Sequence, residues 1–175
     1  DGTLCVYISG DGTTIVGTSS STATGFTDGT AHWLRFTWDD TTNYLNFYTA
    51  DDEENIPSSW DQLGTADLSL ASAGINDVTV GIGVGGFPSG VEALAGNLYR
   101  MVVYDGIGGT VVADFNPADA SPNADTWTSS GAGGEVWTIK EDCMVNATDY
   151  DAVYAKGSVH IETTASQNIP AVHTY

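Results

Sequence analysis

In the run DGTAHWLRFTWD at positions 28–39 an Asp-Gly turn signal feeds a strand of alternating residues. Leu34, Phe36 and Trp38 fall on one side of an extended chain, and Trp33, Arg35 and Thr37 on the other. A period of two is that of a half-buried strand. The Asp28-Gly29 pair in front of it supplies residue types that tolerate the positive φ of a tight turn. A second strand-like run at 44–49 follows, then the acidic loop Asp51, Asp52, Glu53 and Glu54. The segment reads as a hairpin of a β-sandwich, and it contains no catalytic motif.

The same signals recur along the chain. Asp1-Gly2, Asp11-Gly12 and Asp105-Gly106 also mark hairpin turns between apolar or β-branched runs. The predicted strands are 3–8, 13–18, 31–38, 44–49, 77–84, 98–104, 110–115, 134–139 and 158–163. Many short strands without an amphipathic helical stretch predict an all-β antiparallel sandwich or jelly roll. In the predicted strand 77–84, Val78, Val80, Ile82 and Val84 share one face and Thr79, Gly81 and Gly83 the other, where another layer can pack close to the backbone. The strand 98–104 is apolar on both parities except for Arg100, which therefore requires a carboxylate or carbonyl partner. After Asp119 the chain is rich in Ser, Pro, Asn, Ala and Gly, and Trp127 lies between two such loop-like stretches.

At 175 residues the chain suits one domain with a tail. The expected organisation is a sandwich over 1–139 and an irregular C-terminal extension over 140–175, an arm contributing a strand. Four cations, Arg35, Arg100, Lys140 and Lys156, stand against 23 carboxylates for a formal charge of −19, so nucleic acid and anionic membrane are unfavourable partners. No apolar run approaches the roughly 18 residues of a membrane helix, and the expectation is a soluble chain. It starts at Asp1 without methionine, as a processed or internal piece of a longer product would. Cys5 and Cys143 are able to close one long loop if their Cα atoms approach, but they form no zinc motif.

From about Gly25 to Ile139 the chain resembles the laminin-G-like branch of the concanavalin A-like lectin and glucanase jelly roll, in the form found in tailed-phage structural proteins. The phrases that carry the resemblance are DGTAHWLRFTWD, NFYTADD with Trp60-Asp61-Gln62-Leu63-Gly64 after it, LAGNLYRMVVYDGIGGTVVADF and the closing GEVWTI. The resemblance implies a virion protein whose partners are other capsid or tail proteins or further copies of itself. A cell-surface or environmental glycan is a further implied partner. The alternative is an extracellular carbohydrate-binding module. Two departures stand out: modules of this kind carry additional strands before the position of Asp1, and the loop between Phe47 and Trp60 is longer here.

Glucanases of this fold use paired carboxylates facing one cleft, and no Glu-x-Asp-x-x-Glu pattern occurs: Glu135 and Glu162 are isolated, and Glu141-Asp142 is adjacent and opposite-facing if extended. His32, His160 and His173 lack HExxH spacing, and no nucleophile elbow is present. The expectation is therefore a non-enzyme without a required cofactor. Asp51, Asp52, Glu53 and Glu54 concentrate the hard oxygen ligands that calcium requires, and the resemblance makes them the candidate calcium loop. Trp60 and Trp127, both in turn-rich surroundings, are the candidates for stacking on sugar rings. Trp33, Trp38 and Trp137 sit in strands and are expected to pack.

Overall fold

A computed structural model describes residues 2–70, 74–75, 96–121, 124–130, 134–139, 143–145, 153–155 and 161–163. The chain divides into two compact units, Asp1–Asp77 with Pro170–Tyr175, and Val78–Ile169. The described residues are all-β and antiparallel, with one short 3-10 turn, Pro117–Asp119, and no α-helix. Among them no helix is long and apolar enough to cross a membrane. The predicted strand 77–84 lies outside the described residues.

The first unit is built on β3 (His32–Asp39) and β4 (Tyr44–Asp51), which pair over their full length with Phe36 opposite Phe47 and Trp38 opposite Leu45. β5 (Asp61–Gln62) and β6 (Leu68–Ser69) both pair with β4. The hairpin of β1 (Cys5–Ile8) and β2 (Val16–Ser19) supplies a further layer. Val6 of that hairpin joins Trp38, Leu45, Phe47, Leu63 and Leu70 in one buried cluster. The Trp38 indole donates to the Leu70 carbonyl at 3.2 Å, so the largest side chain of this core keeps its polar atom satisfied.

The alternation in β3 is correct but its burial is uneven. Trp38 is buried, whereas Leu34 and Phe36 on the same side remain 48% and 53% exposed. Among the described residues β3 is an edge strand. The residues that cover its sheet, Val6, Leu63 and Leu70, gather with Trp38, Leu45 and Phe47 rather than with Leu34. Next to Leu34, His32 stacks on Phe26 with ring centroids 3.8 Å apart.

The β1–β2 loop is organised by Asp11. Its carboxylate accepts from the Thr13 amide at 2.8 Å, the Thr14 amide at 2.6 Å and the Thr14 hydroxyl at 2.7 Å. Gly12 takes φ +77°, as the Asp-Gly turn reading requires. Cys5 is a free, exposed thiol whose Sγ lies 3.0 Å from the Ser19 hydroxyl.

The second unit opens with β7 (Gly96–Leu98), which pairs with β13 (Val153–Ala155), itself paired with β12 (Cys143–Val145). β8 (Met101–Asp105) pairs instead with β9 (Thr110–Phe115), with an irregularity between Val103 and Tyr104. The strand expected at 98–104 is thus broken at Tyr99 and Arg100, because the chain changes pairing partner there. β10 (Thr126–Thr128), β11 (Val136–Ile139) and β14 (Ile161–Thr163) form a third sheet. The segment after Ile139 therefore contributes three strands to this unit, where the sequence suggested one.

The core of this unit gathers Ala113, Phe115, Ala120, Trp127 and Trp137. Phe115 meets Trp137 edge-on at 5.2 Å and Trp127 at a 55° tilt, an arrangement that suits the aromatic quadrupoles. Asp114 ties the elements together. Its carboxylate receives Arg100 through two bonds of 2.7 and 3.0 Å, the partner that a guanidinium in that run requires. Its carbonyl accepts from Ser129 Oγ at 2.7 Å and Trp137 Nε1 at 3.2 Å.

Two outcomes follow from these turns. The hydrogen bonds from Thr14 and then Thr13 hold the Asp11 carboxyl well below the usual aspartate range. A depressed folded-state value means that its contribution is complete above the unfolded pKa and is lost as pH falls through the folded one. Carboxyl NMR titration should place Asp11 below an unstructured aspartate; a midpoint near that of a free peptide would refute the turn geometry. In the β8–β9 turn, a Cβ at Gly109 would collide with the Asp105 carbonyl oxygen. Gly109→Ala should cost about 2 kcal/mol in urea unfolding, as overpacking against backbone does.

Candidate binding face

Because β3 and β4 alternate in register, the side of the sheet away from the core carries its own set. Trp33 stands opposite Ala50, Arg35 opposite Tyr48, and Tyr48 opposite Gln62 on β5. Trp60, just before β5, completes the group. The Arg35 guanidinium carbon lies 5.3 Å from the centre of the Tyr48 ring and 5.5 Å from that of Trp60. Each such contact is worth about 0.5–1 kcal/mol at a partly exposed site. Trp33, Arg35, Tyr48 and Trp60 are all half-buried, each partly covered by the protein and partly exposed to solvent.

Both indoles are fixed through their nitrogens. Trp60 Nε1 donates to the Pro57 carbonyl at 3.1 Å and Trp33 Nε1 to the Glu53 carbonyl at 2.9 Å. The long loop after β4 is thereby fastened to β3 at one point and turned back on itself at another, where Pro57 is buried. Gln62 Nε2 donates to the Phe47 carbonyl at 3.2 Å, as does the Leu63 amide at 2.8 Å, which sets the position of the chain beyond Trp60.

Arg35 is charged but carries no ion pair among the described residues, where the one salt bridge is Arg100 with Asp114. No protein acceptor for its guanidinium is found among them either. What holds it is the pair of rings.

The residues singled out by sequence fare differently. Trp60 is part of this face, with the Arg35 guanidinium over its ring. Trp127 is not: it is 7% exposed, inside the aromatic core of the other unit, because strand β10 turns it toward Phe115. The loop-like composition around Trp127 conceals a three-residue strand, and that strand buries the indole. Asp51, Asp52, Glu53 and Glu54 are exposed, and among the described residues no group of three or more His, Cys, Asp or Glu side chains is placed to hold a metal ion. Glu135 is 1% exposed, and neither carboxylate oxygen has a hydrogen-bond partner among the described residues.

The sequence alone marks no site at Trp33, Arg35 and Tyr48, and it predicts that Trp33 packs. The signal for them is the cross-strand register, which places Arg35 against Tyr48 once the 39–44 turn is known.

No family model matches the chain, and neither a curated protein nor a solved structure matches it.

Trp33→Phe removes the indole donor while retaining a ring. Hydrogen exchange should rise about three- to tenfold at the amides of 51–56, with a global stability loss of about 1 kcal/mol or less, the usual worth of one hydrogen bond. Unchanged exchange in that loop would show that Trp33 does not fasten it.

Proposed function

We propose that this chain is a β-sandwich structural protein of a tailed-phage virion, tail-associated or capsid-decorating. In this reading it binds neighbouring subunits, adheres to a glycan, catalyses no reaction and needs no cofactor. The observation that carries the reading is the face formed by Trp33, Arg35, Tyr48 and Trp60, on the opposite side of β3–β4 from the buried cluster. Aromatic rings held half-open beside hydrogen-bonding groups are suited to the apolar faces and hydroxyl edges of sugars.

Support for the setting comes from the resemblance of the phrases around β3, β4, β8 and β9 to laminin-G-like phage modules. The jelly-roll topology belongs to the same proposal, supported by the β1–β2 hairpin layered over the β3–β4 sheet. The assembly role does not draw on a free arm, since β12, β13 and β14 pair inside their own unit. The strong negative charge suits a displayed surface, keeping copies soluble and disfavouring contact with nucleic acid.

The same face would serve a secreted carbohydrate-binding module. Location separates the two: the chain should copurify stoichiometrically with virions, whereas recovery as a free secreted protein favours the alternative. Adhesion itself is tested on a glycan array, where Trp60→Ala should weaken binding about tenfold, equivalent to one stacking contact. An array that shows no ligand for the intact chain would sink the adhesive reading under either setting.

A further inference from the structure

We propose that the Arg35–Tyr48–Trp60 cluster selects a glycan end bearing a single carboxylate, with Arg35 as the specificity-determining residue. The inference rests on the glycan reading above and adds to it the chemical class of the ligand.

The first argument is the state of Arg35. The chain holds 23 carboxylates and four cations, and the run Asp51, Asp52, Glu53 and Glu54 continues directly from the strand that faces Arg35. Even so, the guanidinium pairs with none of them among the described residues. It is held between the Tyr48 and Trp60 rings, and the loop that could have supplied a carboxylate is fastened through the Glu53 carbonyl to Trp33. Arg100 shows the other outcome for an arginine in this chain, a two-bond pair with Asp114. A planar donor fork without a protein acceptor among the described residues matches a carboxylate in two-point geometry.

The second argument is preorganisation. Trp60 is fixed by its bond to Pro57, and Tyr48 lies in a paired strand flanked by β3 and β5. A sugar ring stacked on either aromatic ring would place an attached carboxylate beside the guanidinium without the protein having to order those groups first.

The third argument limits the ligand. A net charge of −19 repels a polyanion at long range. A chain with a carboxylate on every sugar is therefore disfavoured, while one carboxylate at an end meets a local cation at short range.

The test uses the full chain and two probes that differ only in the carboxylate, methyl β-D-glucuronide and methyl β-D-glucoside, followed through the indole signals of Trp33 and Trp60. The glucuronide should bind at least about tenfold more tightly, with the advantage falling as salt is raised. Arg35→Met retains the aliphatic stem over the rings and should abolish the preference. Arg35→Lys, which keeps the charge and loses the fork, should retain only part of it. Unchanged indole signals outside the face will confirm that the variants are folded.

Equal binding of the two probes, or a preference that survives Arg35→Met, overturns the carboxylate inference while leaving glycan adhesion standing. If neither probe moves the indoles and the intact chain also binds nothing on a glycan array, both readings fall. If neither moves them but the array shows binding only to neutral glycans, the inference alone fails.

Discussion

The eight-residue antiparallel pairing of β3 with β4 is the constraint on which the first unit depends. One register decides two things at once: it sends Trp38, Leu45 and Phe47 into the apolar cluster and turns Arg35 and Tyr48 outward as neighbours. A slip of one residue would exchange the two sets, burying an arginine and exposing the largest aromatic of that core. The hydrophobic burial that stabilises the hairpin therefore also specifies the face. The buried cluster and the Arg35–Tyr48 contact are two sides of one strand pair, and neither can be re-registered without losing the other.

The second unit solves a different problem. Its strands are short, and side chains supply part of what longer ladders would have given. The Asp114 carbonyl is taken by a serine and a tryptophan from neighbouring positions in space, while its carboxylate holds Arg100. Asp119 likewise receives the amide and hydroxyl of Ser130. Against this network, the Glu135 carboxylate is buried with no hydrogen-bond partner among the described residues, as is the Trp127 indole nitrogen. Such a group costs stability relative to an apolar side chain of the same shape.

Much of this was legible in the residues, and for physical reasons. The β3 and β4 strands follow from alternation, β9 from the β-branched run after the Asp105-Gly106 turn, and the Asp-Gly pairs mark turns whose glycines take positive φ. The need of Arg100 for a carboxylate follows from the cost of an unpaired guanidinium in apolar company. What escaped depends on long-range partners. The break at Tyr99 and Arg100 arises where the chain leaves one partner strand for another, which local pattern cannot encode. The burial of Trp127 depends on Phe115 and Trp137, and the exposure of Phe36 on where the covering layer gathers. Trp60 was visible as an aromatic in a turn, but its companions Arg35 and Tyr48 required the register.

The fastening of the loop after β4 has a consequence for how such a surface changes over generations. Two of its anchors are carbonyl groups, those of Glu53 and Pro57, met by indole N–H donors. A carbonyl is common to every residue, so the identities of Asp51, Asp52, Glu53 and Glu54 are free to drift without undoing the attachment. Lineages can thus rewrite the electrostatic border of the face while the rings and the sheet beneath stay put, a form of variability confined to the rim.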